Sequence, residues 1–316
     1  MYSLAGKDFL SLKDIDRSDM ELVFEIANKM DQVLKARTRV DILKDKILGL
    51  MFFQVSTRTR ISFESAMQRL GGGVVGFVDP KTTRAGDYYA ESLHDTVKMM
   101  ESYADVLVIR HPEEFAPKHA SEFTDVPIIN AGDGYNEHPT QAMLDVYTIL
   151  RERGHLDNLC VGLVGNMNLR AIHSLALGLA RFQAKVYFVS PPDAAMPDIW
   201  VEEYKRMGLN YETATSLNDV IQDVDVIYPV ATSHPDYHVG HTADKGERIA
   251  TPKEFIVDRE KIDRAKPSLI VLHSLPRTDE LPVDVDPHNS ARYFIQAHYG
   301  VAIRMALLSL ILGKAP

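Results

Sequence analysis

Short apolar runs alternate with helix-period patterns along most of this chain, and that alternation points to α/β folds built on parallel sheet. In the first half, the runs 47–53, 74–77, 105–109 and 127–130 predict strands, with helices between them that include 18–34 and 91–103. Residues 138–152 read as a long helix joining the halves. The second half predicts strands over 160–165, 185–190, 225–229 and 268–272, and a helix over about 170–182. The last helix, 296–312, is apolar enough to pack on another domain rather than stand alone. A chain of 316 residues is long for one hydrophobic core, so two domains are expected.

Composition narrows the function classes. Hydrophobic content of 45% with 25% charged residues is that of a soluble globular protein. A net charge of −9 argues against broad nucleic-acid affinity, yet allows a local basic pocket for a small anion. Cys160 is the single cysteine, which excludes an intrachain disulfide and fits a reducing compartment. The opening MYSLAGKDFLSLKD lacks the charged and apolar regions of a signal peptide. No apolar run reaches the roughly 18 residues a bilayer span needs. A cytoplasmic protein without membrane or nucleic-acid partners is the expectation.

Polar clusters follow the predicted strands, where open α/β sheets bind ligands. The most specific is VSTRTRISFE, residues 55–64. An amphipathic helix with Ile61, Phe63, Met67 and Leu70 on its apolar side begins near Arg58. Ser56, Thr57, Arg58, Thr59 and Arg60 thus surround a helix N-terminus, where unpaired backbone N–H groups and guanidinium charge suit a phosphate. The alternative is an ordinary Ser/Thr cap with solvated arginines. The other clusters are Arg110-His111-Pro112, His138-Pro-Thr-Gln141, Asn166–Arg170 and His273-Ser-Leu-Pro-Arg277. Each has a plain structural reading alone, but five in one chain point to a site. Gly162 and Gly165 do not make a G-x-G-x-x-G fingerprint and no P-loop occurs, which disfavours dinucleotide and nucleoside triphosphate binding.

The segments FFQVSTRTRISFESAMQRLGG, VIRHP, INAGDGYNEHPTQAMLD, LHSLPRTDEL and YFIQAHYGVAIRMALL resemble the aspartate/ornithine carbamoyltransferase family, closer to its aspartate branch. The resemblance implies two α/β domains, each a parallel sheet flanked by helices, with the active site in the cleft between them. Residues 1–145 would bind carbamoyl phosphate, with helix 296–312 packing back onto them, and 146–295 would bind the acceptor amino acid. It further implies that Ser56, Thr57, Arg58 and Thr59 cradle the phosphate and that Arg110 contacts phosphate and carbamoyl oxygen. Thr59, Arg110 and His138 would stabilise that oxygen as it becomes negative, making Arg58, Thr59, Arg110 and His138 the catalytic set. Gln141 and the carbonyls near Leu275 and Pro276, joined by a cis bond, would hold the carbamoyl NH2. Arg170 and Arg277 would meet the acceptor. No cofactor or metal is implied, and three copies would form a ring with sites at the interfaces, with or without regulatory or paralogous subunits.

Two departures from the family pattern bear on the acceptor and the phosphate. After the strand ending near 229 the chain reads YPVATSHPDYHVGHTADKGER, without the family's arginine and glutamine; Arg248 lies within it as a substitute charge. His234, His238 and His241 are expected to contact substrate or water rather than a metal, because regular ligand spacing is lacking. The loop that a neighbouring subunit contributes reads PKTTRAGDYYAES, with Arg84 and Tyr88 near the usual serine and lysine, and Lys81 or Arg84 as replacement for the lysine. The expected activity is carbamoyl transfer to an amino acid, L-aspartate first. A different amine acceptor, or a non-catalytic subunit, is the rival.

Overall fold

Strands buried on both faces need cover on both sides, so continuous apolar runs such as Leu48–Phe52 build parallel sheets between helical layers. The computed structural model describes residues 3–86, 90–233 and 250–315. The chain divides into two units, Met1–Met143 with His298–Pro316, and Leu144–Ala297.

In the first unit, α1 (Arg17–Lys35) starts at Asp16, whose carboxylate accepts the Asp19 N–H at 2.8 Å, and buries Met20, Val23, Phe24, Ala27 and Met30. Strands β1 (Ile47–Phe52), β2 (Gly73–Phe77), β3 (Val106–His111) and β4 (Ile128–Asp133) form a parallel sheet in the order β2-β1-β3-β4. Between them run α2 (Arg58–Arg69), α3 (Leu93–Met100) and α4 (Ala116–Ser121), and α5 (Pro139–Arg153) follows β4. Met51, Val97, Leu107, Ile109 and Ile128 form one core cluster. Each large apolar side chain so buried contributes about 1.5–3 kcal/mol. The chain leaves β1 toward β2 on one side and returns as β3 on the other, so the sheet's switch point lies between β1 and β3.

The second unit holds β5 (Cys160–Val164), β6 (Lys185–Val189), β7 (Asn210–Ala214), β8 (Val226–Pro229) and β9 (Ile270–Val271), parallel in the order β7-β6-β5-β8-β9. Its helices are α6 (Arg170–Ala180), α7 (Asp198–Met207) and α8 (Arg259–Arg264). Val164, Val189, Ile227, Val271 and Tyr293 belong to one buried cluster. The switch point here lies between β5 and β8.

The last helix, α9 (Tyr293–Ile311), begins three residues earlier than its sequence pattern predicts. By length and composition it would suffice to cross a membrane, although Gln296, His298 and Arg304 interrupt its apolar run. Most of it is instead buried in the protein, with Ile303, Met305, Leu307, Leu308 and Leu310 fully inaccessible. Its Ile311 carbonyl accepts the Gly6 N–H at 2.8 Å.

Candidate functional site

The turn after β1 delivers Ser56 and Thr57 to the start of α2. Thr57 occupies the cap position in helical backbone geometry and makes no side-chain cap bond, so its hydroxyl does not close the N-terminus of α2. Arg58 is exposed at this end. Partial desolvation lowers its pKa, and a guanidinium remains charged regardless. Arg60 differs: its Nη1 lies 2.9 Å from Glu64 Oε1, one turn on, which neutralises it along the helix flank. Of the two motif arginines, Arg58 is the more exposed, and it stands at the helix mouth.

Three elements then converge. Thr59, buried in the first turn of α2, places Oγ1 3.5 Å from His138 Nε2. Arg110, at the end of β3, places Nη1 3.4 Å from the same nitrogen and donates to the Ala131 carbonyl at 3.2 Å. His138 is buried just before α5, and its carbonyl accepts the N–H groups of Gln141 and Ala142. A guanidinium only donates, so toward Arg110 the imidazole nitrogen acts as acceptor. These bonds are long, as catalytic contacts often are before a substrate tightens them. The two strands that flank the switch point therefore lead into the start of α2 and Arg110, and the turn after β4 brings His138.

In the second unit, Arg170 opens α6 and is buried. The turn after β9 is braced from several sides. His273 Nδ1 accepts the Leu275 N–H at 2.7 Å, which leaves Nε2 to donate to Glu280 at 3.0 Å. Glu280 also accepts the Thr278 N–H and hydroxyl. Behind it, Gln296 accepts the His273 N–H at 2.8 Å and donates to Asp145 at 2.6 Å. Leu275 adopts a φ of 55°, and its bond to Pro276 is cis. Burial raises the Glu280 carboxyl, but its hydrogen bonds from His273 and Thr278 bring it below the usual value. This brace was not singled out in the sequence. Glu280 lies in the segment LHSLPRTDEL, where it follows Arg277-Thr278-Asp279, and nothing in that polar string singles it out from Asp279.

Arg277 is turned onto Asp286, which grips it with both oxygens, and onto the Tyr293 hydroxyl at 3.2 Å. Its guanidinium also lies over the Tyr293 ring, 5.3 Å from the centroid. The ion pair raises its pKa and lowers that of Asp286. Arg277 therefore has its charge matched already. Lys81 and Arg84 sit on exposed 3-10 turns, Pro80–Thr82 and Arg84–Gly86, beside a cavity of about 380 Å³ lined by Lys81, Thr82, Thr83 and Arg84. Tyr88, Arg248 and the histidines 234, 238 and 241 lie outside the described residues.

Comparison with known proteins divides the chain in sequence order and counts α9 with the second half. Residues 7–151 match the aspartate/ornithine carbamoyltransferase carbamoyl-P binding domain, and residues 157–311 match the Asp/Orn binding domain of that family. The aspartate carbamoyltransferase catalytic subunit of Methanopyrus kandleri is 44% identical, covering 99% of both chains. That of Chromobacterium violaceum is 43% identical over 98% of both. The crystal structure of aspartate transcarbamoylase from Trypanosoma cruzi with N-(phosphonacetyl)-L-aspartic acid aligns at a TM-score of 0.89, with 34% identity over 99% of this chain and 98% of that one. With both halves matched in order and relatives alike from end to end, this chain belongs to the aspartate/ornithine carbamoyltransferase family.

Proposed function

We propose that this chain transfers the carbamoyl group of carbamoyl phosphate to the amino group of L-aspartate, giving N-carbamoyl-L-aspartate and phosphate. The observation that carries the reading is the convergence of Thr59, Arg110 and His138 beside an anion-ready helix mouth. The neutral amine attacks the carbonyl carbon and forms a C–N bond. The carbonyl oxygen becomes negative in the tetrahedral intermediate. The C–O bond to phosphate then breaks, phosphate leaves with the electron pair, and the ammonium nitrogen releases its proton.

In this reading Ser56, Thr57, Arg58 and Thr59 hold the phosphate, with Arg84 of a second copy as a further ligand. Arg110 exchanges His138 for phosphate and carbonyl oxygen, while Thr59 and His138 donate to the developing oxyanion; His138 Nε2 must carry a proton to do so. Gln141 and the carbonyls at Leu275 and Pro276 hold the carbamoyl NH2. Arg170 meets an acceptor carboxylate, joined by Arg248, and Arg277 joins only by exchanging Asp286 for substrate. Positioning of two substrates can supply about 7–11 kcal/mol of the barrier reduction, so no covalent intermediate is needed. A cytoplasmic homotrimer with sites completed at its interfaces, alone or with partner subunits, is part of the proposal. The segment 230–249 lacks the family's usual arginine and glutamine, which favours an acceptor other than aspartate as the second reading.

Mass-spectrometric detection of ureido products, from carbamoyl phosphate and a panel of amino acids and amines, tests this. Carbamoyl-aspartate as the main product is expected. Another ureido product with aspartate inert establishes the second reading, and no product with any amine overturns transfer altogether. Carbamoyl phosphate at 100 times its Kd should stabilise the fold by about 2.7 kcal/mol. Arg58→Ala should abolish that stabilisation; a retained shift in melting temperature overturns the phosphate assignment.

A further inference from the structure

Two buried carboxylates, Asp133 and Glu137, lie in the turn that leads from β4 to His138. The edge of β4 is covered by the N-terminal segment: the Phe9 N–H donates to the Ile128 carbonyl at 2.7 Å, and the Asn130 N–H to the Phe9 carbonyl at 2.9 Å. Asp8 accepts the Ile128 N–H at 2.7 Å, and Asn130 Nδ2 donates to the Leu10 carbonyl at 3.0 Å. The segment is thus held to the sheet as an additional edge. Its next residues reach Glu137: the Ser11 hydroxyl donates to Oε1, and the Leu12 N–H donates to Oε2 at 3.2 Å.

Glu137 also closes the turn between β4 and His138. Its N–H donates to Asp133 Oδ1 and its carbonyl accepts the Asp133 N–H, each at 3.1 Å. Asp133 gathers further N–H groups from Asn130, Asn136 and Phe115 at 2.8–2.9 Å. Both carboxylates are about 1% exposed. The turn has few torsional options left once both ends are tied, and the direction in which the chain enters α5 follows from it. That direction sets where the His138 ring points.

We propose that Glu137 is a positioning residue: by gripping Ser11 and the Leu12 amide it locks the 133–137 turn and holds the His138 ring facing Thr59 and Arg110. The inference rests on the carbamoyl-transfer reading of that ring. It predicts an effect on turnover rather than on phosphate capture, since Arg58 and the α2 mouth lie outside the turn.

Burial supplies an independent readout. It pushes the Glu137 carboxyl up to about 7, with Asp133 of the same turn raising it further and Lys13 of the N-terminal segment lowering it. A carboxyl whose pKa is higher folded than unfolded favours the folded state while protonated. Its contribution is complete below the unfolded value near 4.5 and is lost as pH rises through about 7.

The test compares wild type, Glu137→Ala, Glu137→Gln and Ser11→Ala, each confirmed folded by circular dichroism. Steady-state kinetics are run with carbamoyl phosphate and the established acceptor, and melting is followed from pH 5 to 9. Glutamine can accept the Leu12 N–H and donate to Ser11, so it keeps the grip without the charge. Expected are a tenfold or larger fall in kcat for Glu137→Ala, with the KM for carbamoyl phosphate within about threefold. Glu137→Gln should keep at least a third of wild-type kcat, and Ser11→Ala should fall between. The melting temperature of Glu137→Gln relative to wild type should rise from pH 5 to about 7 and level off above that. A folded Glu137→Ala with kcat within twofold of wild type overturns the proposal, as does Glu137→Gln no better than alanine. An inactive wild type overturns the transfer reading and this inference together; an active wild type with unmoved variants overturns this inference alone.

Discussion

His138→Ala should lower kcat by about 10²–10³, equivalent to roughly 2.7–4 kcal/mol of transition-state stabilisation, while the KM for carbamoyl phosphate changes only a few-fold. The asymmetry follows from placement. Phosphate capture is assigned to the mouth of α2 and Arg58, which the substitution leaves in place, whereas the ring at position 138 faces Thr59 and Arg110. A donor aimed at the carbonyl oxygen matters little while that oxygen is neutral and most when it carries charge. His138→Asn, which retains an N–H donor, should recover part of the loss. Steady-state kinetics decide the point: an equal rise in KM at unchanged kcat would make His138 a ground-state ligand, and unchanged kinetics would remove it from the site.

Gly165→Ala should destabilise the second unit by about 3 kcal/mol, more than most surface or loop substitutions. Gly165 has a φ of +122°, which an L-residue with a side chain rarely adopts. A methyl group there would lie 2.1 Å from the Val230 carbonyl oxygen and 3.0 Å from its carbon. Neither neighbour yields cheaply, because the Gly165 N–H is bonded to Val189 and the Val230 N–H to Val164. The added carbon would pry β5 from the end of β8 at the sheet's switch point. Residues 166–170 leave from the same place, so the KM for the acceptor should rise as well. Urea unfolding measures the first effect; a variant within 1 kcal/mol of wild type would show that the backbone relaxes more freely than these contacts allow.

The strands of both sheets were legible to the extent that they are apolar. The predicted runs at 47–53, 160–165 and 185–190 match observed strands within one residue at either end. β7 was missed because Asn210–Ala214 is an edge strand with mostly exposed residues, and its sequence NYETA carries no apolar run. The helices α7 and α8 went unmarked as well, while α9 was recognised but not its suitability in length for a bilayer. The site motifs were visible because unusual polar strings follow apolar strands.

What the strings did not reveal is which charges are already matched. S-T-R-T-R presents two arginines; the i,i+4 spacing of Arg60 and Glu64 allows their pair, and the folded helix shows it formed at 2.9 Å. By contrast, Arg277 and Asp286 are nine residues apart, and no periodicity links them. Local composition and spacing act over a few residues, so they dictate strand, helix and turn chemistry, and with them the α/β class and the position of the Ser-, Thr- and Arg-rich turn before α2. The meeting of Thr59 with His138, 79 residues away, and of Ser11 with Glu137, 126 away, arises when strand order brings distant chain ends together. Those contacts depend on sheet topology and on the burial of polar groups that must then find partners, which is a property of the folded chain rather than of any segment.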